Sequence, residues 1–112
     1  TTVVNNVVDD ANIGIFVATA NTSGYSETYN SVSNCATPKA NGTAASPTGT
    51  TLDASDITPD DPLLSASYRP LPGSPLIGAG THLGYTRDMA GVQRPNPPSI
   101  GAYDVAKMRT FA

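Results

Sequence analysis

The stretch Asn5-Asn6-Val7-Val8-Asp9-Asp10 returns in altered form as Tyr29-Asn30-Ser31-Val32-Ser33-Asn34, and this recurrence constrains the fold more than any other feature of the chain. Asn6 and Asn30, Val8 and Val32, and Asp10 and Asn34 fall in register. Around them Val3, Val4, Val7, Val8, Ile13, Ile15, Phe16, Val17 and Val32 form short β-branched runs, with Asn, Gly and Ser between them. These runs predict strands over residues 2–8, 13–18 and 27–33, each ending in a turn signal. Three short strands and then the same pattern again suggest one turn of a parallel β-solenoid. There, an inward valine stacks on the valine of the next turn, and a corner asparagine satisfies backbone groups and tolerates left-handed φ. The competing reading is the edge of an ordinary β-sandwich with chance similarity. Gly14, between Ile13 and Ile15, fits a strand entering from a tight corner.

Composition narrows the field further. Gly, Pro, Ser, Thr and Asn supply 52 of the 112 residues, whereas Leu, Ile, Val and Phe supply 21. Few large apolar residues are typical of disordered chains, but the high net charge that accompanies disorder is missing, because nine acids face six bases. Ten prolines, all from Pro38 onward, argue against a helical bundle. No run approaches the roughly 18 apolar residues of a membrane-spanning helix. The bases do not cluster, so nucleic acid is not an expected partner. Cys35 is a lone cysteine, which excludes an intrachain disulfide and cysteine-based zinc sites. The chain begins at Thr1 without a signal peptide, and a processed or truncated piece of a longer protein is expected.

Residues 36–60 are almost all small or polar, with Leu52 and Ile57 the large aliphatic exceptions. They read as a polar excursion or linker, or as a strand-poor last turn lying against the one before it. From Asp61 a series of spaced blocks follows: Asp61-Pro62-Leu63-Leu64, Tyr68-Arg69-Pro70-Leu71, Gly73-Ser74-Pro75-Leu76-Ile77-Gly78-Ala79-Gly80, Asp88-Met89-Ala90-Gly91-Val92-Gln93-Arg94-Pro95 and Ile100-Gly101-Ala102-Tyr103-Asp104. In this order they resemble the C-terminal end of right-handed parallel β-helix repeat proteins, the secreted and virion proteins of pectate-lyase-like fold. Gly78 and Ala90 depart from the pattern, each standing where relatives carry an acid. The resemblance implies an all-β fold: one to two β-helix rungs in residues 1–35, then a loop-rich capping segment over 61–112.

The capping residues make physical sense on their own terms. Pro72-Gly73 and Ser74-Pro75 are turn dipeptides before the apolar pair Leu76-Ile77. Gly78 and Gly80 allow close backbone approach around Ala79. Asp88, followed by Gly91 and Arg94, suits a turn whose carboxylate accepts backbone N–H groups or pairs with Arg94. Ile100 to Tyr103 reads as a short final strand, with Tyr103 over the end of the core. Asp61, Gly73, Pro75, Gly80, Asp88, Gly91, Arg94, Gly101 and Tyr103 are therefore the expected structural residues of the cap.

Catalytic chemistry has little support. His82 is the single histidine and has no neighbouring carboxylate, so it reads as a surface or cap-packing residue. Asp9-Asp10 and Asp60-Asp61 are the acid pairs, but adjacent strand residues face opposite ways unless a turn intervenes. No catalytic residue, cofactor or metal site is expected. The five tyrosines offer sugar-stacking surfaces or, more simply, cover the ends of a small core. The leading expectation is a structural and adhesive module at the end of an extracellular or virion β-helix protein, such as a tail spike, fibre or decoration protein, in contact with a surface glycan. The alternatives are the non-catalytic end of a polysaccharide lyase or glycoside hydrolase, and a bacterial cell-surface β-helix protein. Because solenoid repeats bury apolar surface only against neighbours, the rest of a longer chain or a homo-oligomer, by analogy a trimer, is the expected partner.

Overall fold

A computed structural model describes residues 2–18 and 24–104. Among them there is no α-helix, and no helix is long and apolar enough to cross a membrane. The strands are β1 (Thr2–Val4), β2 (Val7–Asp9), β3 (Ile13–Ala18), β4 (Ser26–Thr28), β5 (Ser31–Ser33), β6 (Thr37–Thr43) and β7 (Ser46–Gly49). They form three small sheets, β1-β4, β2-β5 and β3-β6-β7, so the fold is all-β.

One register governs all three sheets. Thr2 pairs with Ser26, Val8 with Val32 and Ile13 with Thr37, always in parallel and always with the same offset. The layer β1-β2-β3 therefore lies against the layer β4-β5-β6 residue for residue. The corners repeat as well: Asn5 and Tyr29 have φ of 57° and 54°, and Asp10 and Asn34 have 61° and 53°. Asn and Asp tolerate this left-handed backbone better than most residues. At Tyr29 the same bend is imposed by context, since Asn5 N donates to Tyr29 O and Tyr29 N donates to Ser55 Oγ.

These corners divide the expected runs. Residues 2–8 are two strands broken at Asn5, and 27–33 are two strands broken at Tyr29. The segment 36–60 is also more ordered than a linker. β6 pairs with β3, β7 turns back on β6 in antiparallel pairing from Ala40↔Gly49 to Thr43↔Ser46, and Ile57 forms a parallel bridge to Ser31. Large side chains are not needed there, because Ala40 is already fully buried between its neighbours. Among the described residues beyond Asp60 there are only isolated bridges, Leu64↔Pro70 and Arg87↔Gln93. The strand expected over Ile100–Tyr103 does not form: Gly101 turns through φ of 110°, and its N–H goes to Asn5 O.

Paired positions share a face, so the register also shows how the interior changes from one layer to the next. Val3, Ile15 and Val17 in the first layer become Glu27, Lys39 and Asn41 in the second. Glu27 is buried, and its Oε2 accepts from Lys39 Nζ at 3.1 Å and from Asp53 N. The Lys39 ammonium also lies 5.5 Å from the Tyr25 ring centroid. Burial and the nearby Glu27 charge raise the Tyr25 phenol above its ordinary value. At Glu27 and Lys39 a hydrogen-bonded ion pair thus replaces the apolar contacts of the first layer, beside the buried Val32 and Ala40.

Gly14 lies inside β3 in a tight place. A Cβ there would lie 2.5 Å from Val32 Cγ1 and 2.6 Å from Pro38 O. Gly14→Ala should therefore destabilise the chain by about 1–3 kcal/mol through overpacking. Gly49→Ala, whose nearest contact would be an ordinary 3.6 Å, should change stability little. Urea denaturation of both variants checks the contrast.

Candidate functional site

The segment 61–104 is held by carboxylates instead of by strands. Asp88 is buried; its Oδ1 accepts from Ala90 N at 2.8 Å and Val92 N at 2.9 Å, and its Oδ2 from Asp104 N at 2.8 Å. Asp104, also buried, accepts from Ser99 N, Ser99 Oγ and Arg94 Nη1, the last at 3.1 Å. Arg94 in turn donates through Nη2 to Gly101 O and Ala102 O. The sequence offered Asp88 two roles. It takes the backbone N–H groups, while Asp104 takes the arginine. The two carboxylates thus close 88–104 into one loop.

The other expected cap residues fall into place around this network. Asp61 Oδ1 accepts from Leu63 N, an Asx-type turn on the surface. Pro72 and Gly73 are the central residues of a turn closed by Ser74 N donating to Leu71 O, with Gly73 at φ 84°. Pro75 is exposed, whereas its neighbours Ser74 and Leu76 are buried, and Ser74 Oγ donates to Pro62 O at 2.6 Å. Gly91 N closes a turn onto Asp88 O. Gly80 and Gly101 are contact points: a Cβ on Gly80 would meet Pro98 O at 2.9 Å and Asn5 Oδ1 at 3.0 Å, and one on Gly101 would meet Val7 Cγ2 at 3.1 Å. The Arg69 guanidinium stacks over Tyr103, 4.4 Å from its ring centroid.

Asn5 joins the two parts of the molecule. Its Oδ1 accepts from Thr81 N at 2.9 Å, and its Nδ2 donates to Thr81 O at 2.8 Å. This amide-to-backbone clamp, with Gly101 N on Asn5 O, seats the segment against the first layer. Asn5 was not among the expected site residues. Its only sequence signal is its place beside Asn6 in the repeated motif, next to a corner.

Between the layers and this segment runs an open groove of about 1000 Å³, lined in part by Asn6, Asp9, Asp10, Asp60, Asp61 and Tyr68. The two acid pairs, distant in sequence, meet here, because the left-handed corner at Asp10 supplies the intervening turn. Asp9 is a fixed carboxylate: hydrogen bonds from Asn34 Nδ2 at 2.7 Å and Ser33 Oγ at 2.8 Å hold it below its ordinary value of 3.8. An acid held ionised in this way suits accepting hydroxyl protons in hydrogen bonds, not donating a proton in catalysis. Among the described residues no group of three or more His, Cys, Asp and Glu is placed to hold a metal ion. His82 is exposed, and Cys35 donates weakly to Ser33 O at 3.3 Å. A second, smaller cavity of about 270 Å³ lies over Asp88 and Arg94, bordered by the exposed Leu83, Tyr85 and Met89. No protein-family model, curated protein or solved structure matches the chain.

The Asp88 carboxyl has a definite acid signature. Burial raises its pKa, but the N–H groups of Asp104, Val92 and Ala90, with the Arg94 charge, outweigh burial and hold it below 3.8. A carboxyl depressed on folding stabilises the fold above its unfolded value, and that stabilisation is lost as pH falls through the folded value. Asp88→Asn should therefore lose about 1–3 kcal/mol at pH 7 by turning an amide N–H toward backbone donors. Urea midpoints at pH 7 and pH 3 should also converge more for the variant than for the parent chain.

Proposed function

We propose that the chain is the end module of a parallel β-helix protein displayed outside the cell or on a virion, with a structural and adhesive role. The observation that carries this reading is the constant parallel register of three sheets with left-handed corners at matching positions. In this reading the two layers are successive rungs of a solenoid. The polar closure at Glu27 and Lys39 and the carboxylate-pinned flank of 88–104 agree with a terminus, where an apolar interior must stop. In this reading the chain works as the end of a longer β-helix or within a homo-oligomer, a trimer by analogy with phage spikes.

The groove beside the rungs supports contact with a surface polysaccharide. Its carboxylates and the Asn6 and Asn34 amides present acceptors and donors matched to sugar hydroxyls. Tyr68 is 76% exposed at its edge, on a backbone fixed at φ 64° by its N–H bond to Ser65 O. An exposed ring on a fixed main chain is a low-entropy platform for a sugar face. Four acids in the same groove favour a neutral or amino sugar over an acidic one.

Two measurements test the reading. A glycan array should find a neutral or amino-sugar polysaccharide ligand, and Tyr68→Ala should weaken its binding by about three- to tenfold. Absence of any glycan binding would remove the adhesive part. The repeat itself is tested by Asn30→Ala. Asn30 is fully buried; its Oδ1 accepts from Asn6 N, and its Nδ2 donates to Val3 O and Glu27 Oε1. Removing it should cost about 1–3 kcal/mol or more by leaving these groups unpaired. Alanine at the exposed Asn96 should be neutral, and equal melting of the two variants would overturn the rung assignment.

A further inference from the structure

The smaller cavity over Asp88 and Arg94 combines fixed walls with an apolar rim. Its walls include Asn5 and Thr81, locked together by the amide clamp, and Asp88 and Arg94, locked by the carboxylate network. On the rim stand Leu83, Tyr85 and Met89, 47%, 73% and 76% exposed. Large apolar side chains are scarce in this chain, so three of them gathered around one preformed cavity mark a contact surface.

The path of the chain supplies the occupant. Asp104, the last of the described residues, is fixed at the border of this cavity. Its N–H donates to Asp88 Oδ2 at 2.8 Å, and Met89 N donates to Ala102 O at 3.0 Å. Asp88 and Met89 both line the cavity, and residues 105–112 follow Asp104 directly. Their sequence is Val105-Ala106-Lys107-Met108-Arg109-Thr110-Phe111-Ala112, with a large apolar side chain at every third position. Seven residues of chain reach at most about 25 Å, ample for a cavity that begins beside Asp104. Charge agrees: residues 1–104 carry all nine acids and four of the six bases, and 105–112 carry the other two bases.

We propose that this cavity is the docking site for residues 105–112 of the same chain, with the Phe111 ring as the group that fills it. Its volume of about 270 Å³ exceeds the roughly 150 Å³ that already admits a benzene ring. On the rim, the Tyr85 ring and the Met89 thioether are both favourable partners for an aromatic side chain. The docked segment covers Leu83, Tyr85 and Met89 and keeps this patch from other chains. Neither the solenoid register nor glycan contact is needed for it.

The test uses the 112-residue chain with isotope-labelled methionine methyls, of which there are two, Met89 and Met108. In nuclear magnetic resonance the Met89 methyl should show a through-space contact to the Phe111 ring, and Phe111→Leu should abolish it. Trypsin should cut slowly after Lys107 and Arg109. Met89→Ser, at an exposed position where the fold tolerates a small polar side chain, should speed both cuts at least about fivefold, and so should Phe111→Ala. A Met89 methyl without contact to Phe111, or cleavage that neither substitution accelerates, would overturn the proposal. Contacts from Phe111 to Tyr68 would send the segment to the larger groove instead. Met89–Phe111 contacts seen only between labelled and unlabelled copies would assign the cavity to a second chain. Either result also overturns the proposal.

Discussion

Everything in the first half of the molecule depends on the side-chain amide of Asn30. It sits with no exposure at a corner where two strands meet, and three neighbouring groups need what it offers. Asn6 N finds its acceptor there, Val3 O finds its donor, and Glu27 is held in the position from which it meets Lys39. Buried backbone groups left without partners are expensive, so the amide fixes one layer over the other with little tolerance for slippage. A register error of one residue would set Val8 away from Val32 and leave a buried amide without its partners. A chain with few large apolar residues can hold two thin layers together because polar pairing supplies the specificity that a thick core supplies elsewhere.

That dependence explains which parts of the fold were legible in the sequence. The repeat at Asn6/Asn30 and Val8/Val32 was readable because the same side-chain jobs recur at the same interval, and the pairing follows it. The break at Asn5 within the first run was not readable as a strand end, since valines continue on both sides of the corner. Residues 37–49 resisted reading for the opposite reason. They enter the sheet through backbone pairing and the small Ala40, without the β-branched signal that marks most strands. Asp88 and Arg94 could be singled out by spacing, but the choice of arginine partner could not. Asp104 wins it because Gly101 bends the chain until Ser99 and Asp104 face each other.

The flank of 61–104 shows how such a segment is fixed without strands. Buried carboxylates gather backbone N–H groups that would otherwise need a ladder, and glycines let the chain approach Asn5 and Val7 closely. The groove beside it is a by-product of the same design. A segment pinned at Asn5 and through its own carboxylates leaves open space along the acid-bearing corners. Acids far apart in the chain meet there because one corner bends and one segment returns, and no local pattern announces such a meeting.

The replacement of Val3, Ile15 and Val17 by Glu27, Lys39 and Asn41 gives the paired layers a direction. A stack with two equal apolar faces would be an invitation to endless head-to-tail polymerisation, the hazard of any exposed strand edge. Here one face is terminated by a buried ion pair and by an outermost strand, β7, that carries Pro47. A growing polymer needs both faces to be adhesive, and this molecule offers at most one. Head-to-tail stacking through the β7 side is therefore closed to it.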